Sequence, residues 1–477
     1  MEVGSGTFDF VVVANRLPVD RVDPDDGGTG WKRSPGGLVS AVEPVMRQAD
    51  GVWVGWPGSP GEAPEPFEID GVHVAPVGLT ADDVEAFYEG FSNATLWPLY
   101  HDVIVPAQFH RRWWDSYVVV NERFAAAAAA QAAPGATVWV HDYQLQLVPS
   151  MLRRDRPDLR IGFFNHIPFP GYEIFAQLPW RRQIITGLLG ADLIGFQRTA
   201  DVTNFLRACR RAAGVTTRAD VIAVVEEPLG TRRDVRVGSF PISIDSAELD
   251  ALARTPAVTA RVAEIRHDLG DPATVLLGVD RLDYTKGIHH RLQAYEELLD
   301  DGHPALEGAV FVQVASPSRE RVAEYQALRQ EVEGIVGRIN GMYGTIRGPA
   351  VHYLHQTYGP DEMAALYRAA DVMVVTPLRD GMNLVAKEYV ATRYTEDGAL
   401  VLSEFTGAAD ELGSAFLVNP HDIDGLKRGI TRACTVDRRE ARRRMRSMRR
   451  RVRTFDVAHW ASAYLDALKV APLRPEA

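Results

Sequence analysis

Short runs of β-branched and other apolar residues recur along the chain, and longer stretches with helical spacing separate them. The first series is Phe10–Ala14, Thr137–Val140, Arg160–Phe164, Asp192–Phe196 and Val235–Phe240. The second is Thr274–Val279, Val310–Val314, Val351–Leu354, Asp371–Val375 and Ala399–Leu402. Near-continuous runs fit strands covered on both faces, and their alternation with helices is the pattern of parallel sheets built from βαβ units. Two series in 477 residues exceed one ordinary core. The expectation is an α/β chain whose two parallel sheets face one cleft. Pro241–Asp245 closes the first series, which gives domains at 1–245 and 246–455. Segment 456–477 carries Trp460, Tyr464 and Leu465 at helical spacing and is expected to pack back on the N-terminal domain as a helix. No repeat of solenoid length is present.

Polar residues follow the strands. Asn15-Arg16, His141-Asp142 and Asn165-His166 come after the first, second and third runs. In the second half Asp280-Arg281 and Lys286-Gly287, Ser316 to Arg319, and Thr376 to Gly381 hold the same place. Ligands of open parallel sheets bind beyond the carboxyl ends of the strands, so these loops are the candidate site. Composition narrows the ligand. A net charge of -11 argues against a nucleic-acid partner, whereas a few Arg and Lys in a cleft still suffice for a small anion. Two cysteines, Cys209 and Cys434, provide no disulfide framework. Met1–Phe10 lacks the pattern of a secretory signal, and the run Ala125–Ala130 is too short and weakly apolar to span a bilayer. A cytoplasmic protein without a membrane partner is expected.

Four constellations carry chemistry. In Asp380–Glu388 a turn leads into a helix near Asn383, and the uncapped N–H groups of such a helix suit anionic oxygens. Asp380 can accept from sugar hydroxyls, and Glu388, about one turn on, from a ribose diol. The same residues also read as a plain turn with Asn383 as the cap. In Arg281–Gly287, the cations Arg281 and Lys286 suit a diphosphate without a metal, and in isolation also read as a solvated loop. Gly36-Gly37, within Ser34–Leu38, lets backbone approach a phosphate; the spacing is not that of a P-loop, and no Gly-x-Gly-x-x-Gly follows a strand. Trp53, Trp56, Tyr88, Trp97, Arg16 and Arg319 offer faces for a pyranose and forks for a phosphate monoester, with at least one of the paired tryptophans expected in the core. Asp422-Ile423-Asp424 reads as a helix cap rather than a metal pair. The ten arginines of Arg438–Arg453 read as a solvated surface helix rather than an anion site. Neither a His-Glu-x-x-His nor a Cys-x-x-Cys pair occurs, and no metal or cofactor is expected.

Taken in order, these segments resemble the trehalose-6-phosphate synthase family, retaining glycosyltransferases with two Rossmann-like domains of the GT-B type. The resemblance runs from about Phe10 to Leu468. Its strongest blocks are Phe91–Pro98, Trp139–Tyr143, Gly162–Pro170, Arg281–Gly287, Gly337–Gly341 and Thr376–Val390. It implies transfer of glucose from UDP-glucose or another nucleotide glucose to glucose 6-phosphate, giving α,α-trehalose 6-phosphate with retention and without a metal. On the donor side it implies Arg281, Lys286 and the backbone of Gly36 and Gly37 at the diphosphate. Glu388 takes the ribose, and Tyr358 with the backbone of Leu384 and Val385 takes the base. His166 and Asp380 take the glucose, helped by amides of Gly381, Met382 and Asn383. On the acceptor side it implies Arg16, Tyr88 and Arg319 at the phosphate and Asp142 and Trp97 at the sugar, with Trp56 chosen over Trp53. The implied catalytic set is Asp142, His166, Arg281, Lys286 and Asp380, and a homo-oligomer is expected. Asn165 stands before His166 where Leu is familiar, Tyr358 stands for Phe, and a longer insertion, Arg21–Arg33, precedes the glycine pair.

Ordinary retention uses a carboxylate nucleophile. No carboxylate stands out for that role, so front-face attack is favoured, with a phosphate oxygen of the leaving group taking the acceptor proton. Another nucleotide-sugar glucosyltransferase, such as a glucan synthase, and a non-catalytic sugar-phosphate sensor remain as alternatives.

Overall fold

A computed structural model describes residues 7–21, 30–33, 39, 42–43, 46, 49–226, 231–319, 322–346 and 348–471. The chain forms two compact units, one of Met1–Ile242 with Ala458–Ala477 and one of Ser243–Val457.

The strands of the first unit are β1 (Phe8–Arg16), β2 (Val19–Arg21), β3 (Trp31–Arg33), β4 (Val52–Trp56), β5 (Phe67–Ile69), β6 (Val72–Pro76), β7 (Ala132–His141), β8 (Arg160–Phe164), β9 (Leu193–Phe196), β10 (Thr216–Arg218), β11 (Val221–Glu226) and β12 (Thr231–Ser239). Ten of them form one sheet in the order β10-β11-β12-β9-β8-β7-β1-β4-β6-β5. From β12 to β6 every pairing is parallel. The pairs β5–β6, β11–β12 and β10–β11 are antiparallel. Val11, Val12 and Val13 of β1 are fully buried, as a run covered on both faces requires. The antiparallel edges were not legible as strands, because an edge strand needs apolar residues on only one face.

The second unit is a six-stranded sheet of β13 (Thr274–Arg281), β14 (Ala309–Ser316), β15 (Val351–Leu354), β16 (Val372–Val375), β17 (Ala399–Ser403) and β18 (Phe416–Val418). Its order is β15-β14-β13-β16-β17-β18, all parallel. This is the doubly wound order in which the first strand lies at the centre and the winding reverses beside it. The parallel part of the first sheet repeats it, with β6-β4-β1 on one side and β7-β8-β9 on the other. Reversal leaves a crevice at the carboxyl ends of β1 and β7 in one sheet and of β13 and β16 in the other.

The last helix, Val457–Lys469, packs on the first sheet. Tyr464 stacks on Trp139 with centroids 4.7 Å apart and donates its hydroxyl hydrogen bond towards Phe163 O at 3.0 Å and Leu193 O at 3.1 Å. A Cβ on Gly162 would lie 2.6 Å from the Tyr464 hydroxyl, so glycine there makes the close approach possible. The arginine-rich stretch is the helix Arg438–Thr454, with Ala441, Met445, Met448 and Val452 turned inward. Most of its arginines are exposed, but Arg449 is buried and pairs with Asp250 at 2.5 Å. Asp422 caps its helix, accepting from Gly425 N at 2.9 Å. No helix among the described residues is long and apolar enough to cross a membrane.

Candidate active site

In the second unit, the loops after β13 and β16 are tied together. Leu378 N–H donates to Thr285 O at 2.7 Å, and Gly287, at φ 61°, lies so close that a Cβ would be 2.3 Å from Thr376 O. This approach brings Lys286 Nζ to 2.6 Å from Asp380 Oδ2. Asn383 Nδ2 also reaches Asp380 Oδ2 at 3.2 Å, while Asn383 Oδ1 accepts from Ala386 N at 3.0 Å and caps the helix Leu384–Thr392. The cap and the polar cluster are therefore the same residue. Gly381 and Met382 are buried beside it, and Leu384 and Val385 are partly exposed in the first helical turn. On the next turn Glu388 accepts from the Tyr367 hydroxyl at 2.7 Å, and burial raises its pKa.

Below these groups lies Asp283, fully buried. It accepts from Thr285 N at 3.0 Å, Thr285 Oγ1 at 2.9 Å and the Tyr325 hydroxyl at 3.1 Å, and pairs with Arg319 at 3.4 Å. Burial alone would raise its pKa, but Arg319, Arg281 and Lys286 hold it down at about 2. Arg281 itself is exposed at the end of β13. Tyr358 follows β15, partly exposed, with its hydroxyl bonded by the Gln356 amide. A buried arginine, Arg291, donates to Asp280 at 2.5 Å, Val374 O at 2.7 Å and Lys286 O at 2.8 Å, joining β13, β16 and the lysine loop.

In the first unit, Arg16 ends β1, pairs with Asp20 at 2.7 Å and lies 5.3 Å from the Trp56 ring. Trp56 in turn lies 5.5 Å from Tyr88. Both tryptophans of β4 are buried, Trp53 at 1% and Trp56 at 2% exposure. Trp53 donates to Arg16 O at 2.9 Å, a core role, whereas Trp56 is the one that meets Arg16 and Tyr88. Trp97 is buried against His101 and Tyr143 at 4.2 and 5.7 Å.

Asp142, just past β7, has φ 74° and ψ 169°, a region that nearly always belongs to glycine. Three bonds hold it there. Its N–H donates to Phe164 O at 2.7 Å, its carbonyl accepts from Leu145 N at 3.1 Å, and its carboxylate accepts from His166 N at 3.1 Å. His166 Nε2 lies 3.1 Å from His141 Nδ1, and burial pushes the His166 pKa down to about 3. Burial likewise lowers His141. Both imidazoles are neutral near pH 7.

Gly36 and Gly37 lie outside the described residues. The structure groups Arg16, Trp56 and Tyr88, joins Asp142 to His166, and groups Arg281, Lys286, Asp380 and Asn383. Arg319 belongs to the second unit and Arg16 and Tyr88 to the first.

The family model for glycosyltransferase family 20 matches residues 8–470. The chain belongs to glycosyltransferase family 20. It is thus an enzyme. Relatives of this family-20 chain include a trehalose-6-phosphate synthase from Mycobacterium sp. (strain KMS), 59% identical over 470 residues, covering 98% of this chain and 96% of the relative. Another from Mycolicibacterium smegmatis is 58% identical over 471 residues, covering 98% and 93%. Among solved structures, one from E. coli bound with UDP-2-fluoro glucose has a TM-score of 0.88 at 35% identity, covering 98% of this chain and 100% of that one. An α,α-trehalose-phosphate synthase from Burkholderia xenovorans in complex with glucose 6-phosphate gives 0.86 at 34%, covering 96% and 100%.

Sequence reasoning about this family-20 chain missed Asp283, Arg291, His141 and Gln197 as parts of the site. Asp283 and His141 stood inside quoted motifs, and their adjacency to Arg281 and Asp142 was the available signal. Arg291 lies at a helix position where an arginine normally reads as solvated. Gln197 is the first residue past β9 and His166 the second past β8, so both stand at carboxyl ends of neighbouring strands.

Proposed function

We propose that the enzyme transfers glucose from a nucleotide glucose to glucose 6-phosphate, forming α,α-trehalose 6-phosphate with retention. The observation that carries the reading is the Lys286–Asp380 pair with Arg281 at the end of β13, at the reversal point of the second sheet. Two cations there suit a departing diphosphate, and the carboxylate suits hydroxyls of the sugar it leaves. Lys286 exchanges part of its contact with Asp380 for a phosphate oxygen when donor binds. Glu388, Tyr358 and the start of the helix Leu384–Thr392 take the nucleoside. Arg16, with Trp56 and Tyr88, binds the acceptor phosphate, a role that the resemblance also gives to Arg319. Asp142 and Trp97 hold the acceptor sugar.

His166, neutral, bonds a donor hydroxyl without adding charge at the reacting carbon. The charge of Asp380 is balanced by Lys286, and its paired oxygen also accepts from the Asn383 amide, which makes it a poor nucleophile. The acceptor hydroxyl therefore attacks on the face from which the diphosphate departs. A phosphate oxygen accepts its proton as the bond to the anomeric carbon breaks, and positioning with charge stabilisation supplies the rate.

The test is to mix the protein with glucose 6-phosphate and a panel of nucleotide glucoses, and separately with glucose. A phosphorylated disaccharide and a nucleoside diphosphate are expected from glucose 6-phosphate. Equal transfer to glucose, or binding without release of diphosphate, sinks the reading.

A further inference from the structure

Gln197 is buried, with 3% of its surface exposed, just beyond β9, whose neighbour β8 ends two residues before His166. Ile242 N–H donates to its Oε1 at 2.9 Å. That bond fixes the amide, so that Nε2 is the atom 3.5 Å from His166 Nδ1. An amide nitrogen only donates. His166 Nδ1 is therefore an acceptor, and the proton of the neutral ring sits on Nε2. Nε2 in turn faces His141 Nδ1 at 3.1 Å, which accepts and leaves the His141 proton on its own Nε2. That last nitrogen is buried and has no hydrogen-bond partner among the described residues. The bonds thus run in one direction, from a backbone amide through Gln197 and His166 to His141.

We propose that Gln197 is a positioning residue that sets the tautomer of His166, and that it does so from Ile242, where the chain leaves the first unit. Ile242 is the last residue of that unit before the second begins at Ser243. The returning chain re-enters at Ala458, and Trp460, two residues on, has its ring 6.2 Å from His166 and 5.2 Å from Phe164. Both places where the chain passes between units are thus linked to one imidazole. The inference rests on the reading that His166 faces the donor sugar. A hydroxyl of that sugar must then donate to Nδ1, sharing it with the long Gln197 contact.

The test uses full-length protein labelled with 15N-histidine. Long-range 1H–15N correlations report the His166 tautomer, its signals assigned from their loss in His166→Gln. Wild type is expected to carry the proton on Nε2. Gln197→Glu keeps an acceptor for Ile242 N–H and puts a carboxylate oxygen at Nδ1, so the proton moves to Nδ1. Turnover then falls by about tenfold, the loss of one hydrogen bond, with KM for glucose 6-phosphate unchanged. Gln197→Leu is expected to show both tautomers. A His166 proton that stays on Nε2 in both variants overturns the proposal, as does a proton that moves with no change in turnover. The spectral arm does not depend on activity: wild-type protein inactive with every nucleotide glucose sinks the proposed reaction, whereas an unmoved proton sinks the positioning.

Discussion

Asp142 shows how single residues here trade backbone comfort for placement. Its dihedrals suit glycine, yet a carboxylate is held there by bonds to Phe164, Leu145 and His166. Asp142→Gly and Asp142→Ala both remove the carboxylate, but only alanine keeps the strain. The glycine variant is expected to be more stable than the alanine variant by about 1–3 kcal/mol in urea unfolding, with both poor in turnover. Equal stability would show that the conformation is not strained. Arg281 supports the opposite kind of prediction, because it is exposed and the buried Asp283 near it keeps Arg319 and Lys286. Arg281→Ala is expected to cut turnover by roughly 10²-fold or more while leaving the melting temperature nearly unchanged. Turnover near wild type removes it from the diphosphate. Arg281 and Asp142 were legible because each stands where an apolar run gives way to polar residues, Arg281 as the last residue of β13 and Asp142 just past β7. The strain at Asp142 was not, since partners more than twenty positions away in the case of Phe164 and His166 impose it.

Between residues and the whole stand the strands and helices, and their stability depends on buried ionisable groups. Arg291 joins β13, β16 and the Lys286 loop, and removing one partner of a buried pair leaves the other charge uncompensated. Arg291→Ala is expected to cost about 3–5 kcal/mol in unfolding of the second unit, and hydrogen exchange across β13 and β16 would locate the loss. If exchange there is unchanged, the arginine is not the fastener. Histidines give a pH dependence of known sign. Burial lowers His141, brings His166 to about 3 and, with neighbouring His289, His421 and Arg291, brings His290 to about 4. Unfolded, each binds its proton near pH 6.5, so their contribution is complete above that and is lost as pH falls through about 4 and then about 3. Asp280 opposes them: burial raises it to about 6 despite Arg291 and Lys286, so its contribution is lost as pH rises through that value. Urea midpoints measured at pH 7 and pH 5 are expected to drop less in His290→Asn than in wild type. An equal drop would exclude His290 as a source. The central strands were legible from continuous apolar runs, and Arg160–Phe164 and Val351–Leu354 match to the residue. β4 is less legible, being only five residues long with Gly55 inside the run. β5, β10 and β11 were missed because short antiparallel edges carry no such run.

For the molecule as a whole, the two series of strands announced two sheets, and the doubly wound order places the candidate residues where each sheet reverses. The helical spacing of Trp460 and Tyr464 was legible; the surface they cover was not, because it depends on Gly162 and on Trp139 meeting in space. Removing residues 458–477 uncovers Trp139 and Phe164. Hydrogen exchange of the truncated chain is expected to lose protection in β7, β8 and β9 while β13 to β17 keep theirs. Uniform loss, or none, would contradict this division. A chain emerging from the ribosome meets the same situation in time. The stretch up to Ile242 is made before the second unit, yet the segment that completes this half is synthesised only after the entire intervening unit. During that delay an aromatic patch stays wet and sticky on the nascent first half, which makes it a natural client for chaperones until the returning segment emerges.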